Sequence, residues 1–152
     1  HFAQRLNDSL VATEWPDSLV HEAHFTRVRD STSGKTLFAG PRVRFGLSFG
    51  SVATDFSAEE GHPYAIGAEV ITAGRVAAVA RPGEICATAQ FKERLEEELG
   101  GLQPGESPLG DIAQWVSGGP ISRQAPAGTV SMVPPDYQGR RGVWKREYGS
   151  VA

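Results

Sequence analysis

The chain has 152 residues, 39% of them hydrophobic and 22% charged, and a formal net charge of −3 at neutral pH. This length is that of one domain with its own core, and the composition is typical of a soluble globular protein. The acidic balance provides no basic face for nucleic acid. No apolar run approaches the roughly 18–20 residues that a membrane-spanning helix needs. We therefore expect neither a nucleic-acid-binding protein nor an integral membrane protein.

The cysteine content and the first residue bear on the cellular setting. Cys86 is the single cysteine, which excludes an internal disulfide and favours an intracellular, reducing compartment without fixing the location. The first residue is His1 rather than Met, and it lies in a segment that predicts a helix. We expect the sequence to be a processed product or a part of a longer chain.

The first half of the chain contains one amphipathic segment followed by polar stretches and short strands. Phe2, Leu6 and Leu10 recur every four residues, which is typical of a helix with one apolar face, and Pro16 ends that helix. The remaining patterns predict a loop or hairpin tip over 21–36, strands at 37–38 and 43–47, and a polar loop over 50–63.

The second half alternates helices and strands before a basic, aromatic tail. Small residues at helical spacing predict a helix over 68–80, which Pro82 and Gly83 end. Further patterns predict a strand over 85–87, a helix over 90–99, short strands over 112–116 and 129–133, and an extended arm after Pro134.

These elements predict an α+β fold, with a sheet whose helices pack on one face. We expect residues 1–133 to form the domain and residues 134–152 to form an extended C-terminal arm. Arginine, tryptophan and tyrosine in this arm are favoured at protein interfaces, so a protein partner is the preferred interpretation.

Two segments resemble the catalytic domain of class III nucleotide cyclases. The run Gly46-Leu47-Ser48-Phe49-Gly50 resembles the family's "GIHTG" strand end, with Ser48 in place of histidine. The helix from Gly67 to Arg75 and the turn Pro82-Gly83-Glu84-Ile85 resemble the family's "G-x-x-V-N-x-A-x-R" and "PGEI". The resemblance covers about residues 2–99. It implies the C-terminal part of a cyclase-like, ferredoxin-like sheet.

The resemblance also assigns expected roles to three residues. Arg75 falls on the arginine that stabilises the transition state in the family, whereas Ile71 replaces the family's asparagine. Tyr64 falls at the position that reads the base in adenylyl cyclases of the family. The two metal-binding aspartates of the family belong to the part that precedes this resemblance. We therefore expect no cofactor, and Mg²⁺ only if an upstream segment or a partner chain supplies those aspartates.

Two hypotheses of function follow from the resemblance. The first is a catalytically inactive cyclase-like domain that acts as a structural or interaction module, in a dimer with another cyclase-like chain or in a larger assembly. The alternative is one part of an active class III adenylyl or guanylyl cyclase, with the metal-binding half upstream or on a partner chain. Loss of one oxyanion-stabilising donor costs roughly 10²–10³ in rate, so Ile71 favours the first hypothesis.

Three other patterns suggest chemistry but match it poorly. Gly46 to Gly50 satisfies the G-x-S-x-G elbow of hydrolases, yet no histidine follows His62 to complete a triad in the required order. His21 and His24 are three apart rather than four, so they are interpreted as exposed loop histidines. A solvated loop is the preferred interpretation of the acidic stretch that contains Asp55, Glu59, Glu60 and His62.

Overall fold

The computed structural model describes residues 2–23, 25–57, 59, 61–100, 116–117, 125–126, 128–133 and 137–148. The described helices are α1 (Phe2–Ala12), α2 (Asp17–Val20), α3 (Ala68–Val79), α4 (Ala89–Gly100) and α5 (Arg140–Tyr148). The described strands are β1 (Val28–Arg29), β2 (Thr36–Phe38), β3 (Phe45–Leu47), β4 (Ala53–Ser57), β5 (His62–Ile66), β6 (Ile85–Ala87), β7 (Val116–Ser117) and β8 (Val130–Val133). The fold is therefore of the α+β class. None of the described helices is long and apolar enough to cross a membrane.

The described strands form one four-stranded sheet and two separate hairpins. In the sheet the strand order is β3-β6-β8-β7, with β3 parallel to β6 and the other pairs antiparallel. The hairpins are β1–β2 and β4–β5. The chain leaves β3, forms the hairpin β4–β5 and returns through α3 to β6, which is the crossover that a parallel pair of strands requires.

Helix α3 packs against the sheet at very short range because β3 has a glycine at the contact. A Cβ on Gly46 would lie 2.2 Å from the carbonyl oxygen of Ala73 and 2.3 Å from the amide nitrogen of Ala77. The small residues of α3 thus let two backbones touch. On the same face, Val76 and Ala80 bury Cys86 of β6.

Helices pack on both faces of the sheet, so the expectation of helices on one face is wrong. Side chains alternate along a strand, and Ile85 and Ala87 therefore point away from Cys86 and its contact with α3. They form a second cluster with Ala3 of α1 and Met132 of β8. Phe91 and Leu95 of α4 pack against this cluster.

The C-terminal segment is helical over Arg140–Tyr148, so the expectation of an extended arm is wrong for this part. Val143 and Trp144 are buried in a third cluster, whose other buried members are Leu37, Phe38, Val133 and Tyr137. The Trp144 indole nitrogen donates to the carbonyl of Pro82 at 3.1 Å. Burial of these two adjacent side chains fixes the helix against the domain instead of leaving a free arm.

Arg140 anchors the start of α5 among aromatic rings. Its guanidinium lies 3.9 Å from the ring centre of Tyr137 and 4.7 Å from that of Phe38. Its Nε donates to the carbonyl of Leu37 at 2.8 Å. Burial lowers the pKa of Arg140 to about 10, so the side chain stays charged at neutral pH. Arg140 therefore contributes cation–π contacts and a hydrogen bond that joins α5 to the backbone of β2.

The turn that resembles "PGEI" is a packing element of the fold. Gly83 has φ +81°, and a Cβ there would lie 2.5 Å from the Phe38 ring. The side chain of Glu84 is fully buried. Its carboxylate accepts hydrogen bonds from the backbone N–H of Arg81 at 2.7 Å and from the hydroxyl of Ser131. This carboxylate therefore joins the end of α3 to strand β8.

Residues 50–63 contain most of a hairpin rather than the expected polar loop. Strands β4 and β5 pair with Ala53 opposite Ile66 and Ser57 opposite His62. Nearly all residues of both strands are exposed. The hairpin has no buried face, so the sequence lacks the alternation of apolar and polar residues that predicts a strand.

The other predicted elements agree with the structure where it describes them. The helix expected over 68–80 spans Ala68–Val79, and that over 90–99 spans Ala89–Gly100. The strands expected over 85–87 and 129–133 are β6 and β8. The strand expected over 112–116 lies largely outside the described residues, of which β7 begins at Val116.

Replacing Gly46 by alanine is expected to destabilise the fold by about 1–3 kcal/mol, because the new methyl group forces α3 away from β3. Gly74 of the same helix supplies the control, since a Cβ there meets nothing within 4 Å. Gly74→Ala is expected to stabilise the protein by about 0.5–1 kcal/mol. Urea unfolding of both variants measures the difference. Equal effects of the two substitutions would contradict the close contact.

Candidate functional site

The residues of interest lie on α3 and on the hairpin β4–β5 that precedes it. Helix α3 begins at Ala68, and only Gly67, with φ 143° and ψ 173°, separates it from β5. No side chain caps this N-terminus. The Ile71 amide donates to the carbonyl of Gly67 at 3.3 Å, which closes the first turn. The first turns of α3 and the hairpin are therefore continuous along the chain.

Ile71 and Arg75 lie one turn apart on an exposed face of α3. Residues four apart share a face of a helix, and both side chains are exposed, Ile71 by 67%. Arg75 makes no hydrogen bond or ion pair within the described part of the chain. The helix thus presents one unpaired cation beside an aliphatic side chain. A branched aliphatic group cannot donate a hydrogen bond to a developing oxyanion.

Tyr64 lies on β5 and is bound within the hairpin. Its hydroxyl donates to the Asp55 carboxylate at 3.2 Å, across the strand pair that places the two residues opposite each other. The other Asp55 oxygen accepts the Phe56 N–H at 2.8 Å. No hydrogen bond joins Tyr64 to Arg75. The structure brings Ile71 and Arg75 together and holds Tyr64 on a separate element.

Ser48 and Glu69 form a contact that the sequence did not indicate. The Ser48 hydroxyl donates to the Glu69 carboxylate, which ties the end of β3 to the first turn of α3. A Cβ on Gly50 would lie 2.6 Å from the Glu69 side chain. The hydroxyl of the G-x-S-x-G match is thus bound to a carboxylate. The one sequence signal for the pairing of Ser48 with Glu69 is that a glutamate stands at the start of the helix predicted after this strand.

No group of three or more histidine, cysteine, aspartate or glutamate side chains could hold a metal ion among the residues that the structure describes. The carboxylates of Asp55 and Glu69, on the hairpin and on α3, already accept hydrogen bonds from donors of the chain itself. The described carboxylates therefore do not fit a Mg²⁺ site. Two further sequence candidates, Glu60 and His24, lie outside the described residues, and His21 is exposed.

Apolar side chains are unusually exposed on the same part of the molecule. Alternation along β4 and β5 puts Tyr64 and Ile66 on one face of the hairpin, and Phe56 and Pro63 on the other. We call the hairpin together with the exposed side chains at the start of α3 the ribbon–helix surface; its large apolar members are Phe56, Tyr64, Ile66, Val70 and Ile71. Each of these five side chains is at least 40% exposed.

The buried cysteine lies on the opposite side of α3 and has no role at this surface. Burial raises the pKa of the Cys86 thiol, and the nearby Glu84 carboxylate raises it further. The thiol therefore stays protonated at neutral pH. Since the thiolate is the reactive form, Cys86 is a packing residue rather than a nucleophile.

Comparison with known proteins identifies one similar segment. No family model and no solved structure matches the chain. A 97-residue part of the chain is 31% identical to a protein of Acanthamoeba polyphaga mimivirus that is named as a putative serine/threonine-protein kinase/receptor. The match covers 64% of this chain and 6% of that protein. The chain therefore resembles a short part of a much longer protein.

The raised pKa of Cys86 predicts how stability depends on pH. Above about pH 8.5 the unfolded chain loses the thiol proton, whereas the folded chain keeps it. The free energy of unfolding is therefore expected to fall with rising pH, by up to about 1.4 kcal/mol per pH unit from this group. Urea unfolding between pH 8 and pH 10 measures the slope. Cys86→Ala is expected to reduce it, and parallel slopes in the two proteins would contradict the assignment.

Proposed function

We propose that this chain is a catalytically inactive, cyclase-derived domain that serves as an interaction module. The ribbon–helix surface carries the proposal. An isolated two-stranded hairpin is at best marginally stable in water, and this one exposes aromatic or aliphatic side chains on both faces. A partner that covers the hairpin removes this apolar area from water and stabilises it.

The chemistry at α3 supports the absence of catalysis. Cyclisation of a nucleoside triphosphate needs hydrogen-bond donors and cations that neutralise the developing charge, together with metal ions. Arg75 supplies one cation, but Ile71 supplies no donor. The neighbouring carboxylates of Asp55 and Glu69 are bound to donors of the chain itself. The remaining exposed side chains are suited to binding a partner rather than to catalysis.

The proposed partner is a second cyclase-like chain, of which another copy of this chain is the simplest case. An interface around a twofold axis brings the same surface of each copy together, so that surface must complement itself. The ribbon–helix surface has apolar side chains, the acidic Asp55 and the unpaired cation Arg75. Opposite charges on one patch suit such an arrangement.

The similarity to a kinase/receptor suggests the setting in which the module works. The matched segment is 6% of that protein, as expected for one module among many in a long chain. We propose that the present sequence has the same kind of setting, where pairing of the module would bring neighbouring domains together.

A second candidate is one part of an active cyclase whose metal-binding half lies upstream or on a partner chain. The observation that favours it is the position of β3, which is an edge strand of the described sheet. Phe2 is exposed next to it and contacts the Phe45 ring edge-on at 6.4 Å between centroids. An added strand could pair there. Upstream residues with an "F-x-D-I" strand and a hairpin containing Gly-Asp would support this candidate.

The first test is enzymatic. Incubated with ATP or GTP and Mg²⁺ or Mn²⁺, the chain is expected to release no more cyclic nucleotide than its Arg75→Ala variant. The expectation rests on Ile71, since loss of one such donor costs roughly 10²–10³ in rate. Mass spectrometry of the products measures both cyclic nucleotides. Formation that disappears in Arg75→Ala would contradict the inactive module and favour the second candidate.

The second test is association. Ile71→Asp is expected to weaken self-association by about 10- to 150-fold, because fully burying an isoleucine contributes about 1.5–3 kcal/mol. Sedimentation equilibrium over a range of concentrations measures the dissociation constant. Leu19→Ser removes a comparably apolar exposed side chain outside the surface and should change nothing. A chain that stays monomeric, or equal effects of both substitutions, would contradict the proposed pairing.

A further inference from the structure

The hairpin β1–β2 carries an ordered turn that lies far along the chain from the ribbon–helix surface. Strands β1 and β2 pair antiparallel, and the Asp30 amide donates to the Lys35 carbonyl at 2.8 Å. The Asp30 carboxylate accepts the amide of Thr32 at 2.7 Å and that of Ser33 at 3.2 Å. The turn therefore has a defined shape, which Gly34 completes with φ +70°.

Two exposed arginines lead into this turn. Arg27 immediately precedes β1 and Arg29 ends it, and both residues are exposed. Val28 between them is partly buried and packs against the cluster of Leu37 and Trp144. The packing of Val28 holds the segment against the domain, and the arginine on either side of it is exposed to solvent.

Thr32 follows these arginines by five and three residues, and its hydroxyl is available. The side chain is exposed and its hydroxyl has no hydrogen-bond partner among the described residues. The neighbouring Ser33 hydroxyl, in contrast, accepts the Lys35 amide at 3.4 Å. Ser31 is also exposed, but it follows the arginines by only four and two residues. Among the three hydroxyls of the turn, Thr32 alone combines this spacing with a free oxygen.

We propose that the folded chain presents Thr32 as a phosphorylation site for serine/threonine kinases that select arginine five and three residues before the acceptor. Acidic side chains in the cleft of such a kinase would bind the two guanidinium groups through charge-assisted hydrogen bonds. The Thr32 hydroxyl oxygen attacks the γ-phosphorus of ATP, and the bond between that phosphorus and the oxygen bridging to ADP breaks. A carboxylate base of the kinase takes the hydroxyl proton. The products are a threonine phosphate ester and ADP.

The position of Thr32 gives this modification a structural consequence. The Lys35 ammonium lies 5.0 Å from the ring centre of Tyr137, just ahead of α5. A Cβ on Gly139 would lie 2.3 Å from the Asp30 carboxylate, so the turn also touches the start of α5. A phosphate carries a charge of about −1.5 to −2 and accepts hydrogen bonds strongly. At Thr32 it would repel Asp30 and attract Lys35, two residues through which the hairpin contacts the C-terminal segment.

The test uses the whole folded chain and a purified kinase catalytic domain of this arginine-selecting class, with ATP and Mg²⁺. Intact mass and peptide sequencing are expected to show one phosphate, on Thr32. Thr32→Val should abolish it, whereas Ser31→Ala and Ser33→Ala should retain it. Replacing both Arg27 and Arg29 by glutamine should lower kcat/KM for phosphorylation by roughly 100- to 10,000-fold, since each replaced guanidinium loses a hydrogen bond between charged groups that is worth roughly 10- to 100-fold.

Two outcomes would overturn the proposal. One is unchanged phosphate incorporation in Thr32→Val, which would place the modification elsewhere. The other is phosphorylation of Thr32 in the urea-unfolded and diluted chain or in a peptide of residues 25–36, but not in the folded chain. Circular dichroism of each variant checks that the substitutions, all at exposed positions, leave the fold intact.

Discussion

The buried carboxylate of Glu84 is the constraint around which the described sheet is arranged. A charge in the interior is costly unless donors surround it, and this one is bound by the Arg81 amide and the Ser131 hydroxyl. The same residue ends the turn into β6, and its backbone carbonyl accepts the Phe45 amide of β3. Three strands and the end of α3 are therefore joined at one residue. With that end fixed, the opposite end of α3 and its exposed residues have a defined position.

The sequence predicted this helix and the strands β3 and β6 beside it because their signals are local. Small residues at helical spacing and the pair Pro82-Gly83 mark α3 without any knowledge of its neighbours, and residues four apart put Ile71 and Arg75 on one face. The hairpin β4–β5 was missed because neither of its faces is buried. Helix α5 was missed because it is stabilised by the packing of Trp144 in the third cluster and by the hydrogen bond of Arg140 to β2. Only the tertiary structure reveals these contacts.

The contacts within the candidate site were equally beyond local reasoning. Tyr64 and Asp55 are nine residues apart and meet only because two strands pair in one register. Ser48 and Glu69 are separated by an entire hairpin. These two bonds engage the carboxylates of Asp55 and Glu69, and Arg75 has no ion-pair partner among the described residues. The resemblance to cyclases predicts roles for Tyr64, Ile71 and Arg75, whereas the hydrogen bonds that engage Asp55 and Glu69 depend on the tertiary structure.

The exposed hairpin has a consequence for the kinetics of recognition. Its backbone hydrogen bonds are shielded by few side chains, so this segment is expected to open locally at a smaller free energy than the sheet, and its amide hydrogens to exchange sooner. A partner that binds the hairpin must keep its two strands paired. The conformational freedom that the hairpin loses makes the binding free energy less favourable. Complexes formed through such a segment dissociate faster than their contact area alone would suggest. For the pairing proposed above, this property favours contacts that form and dissociate repeatedly.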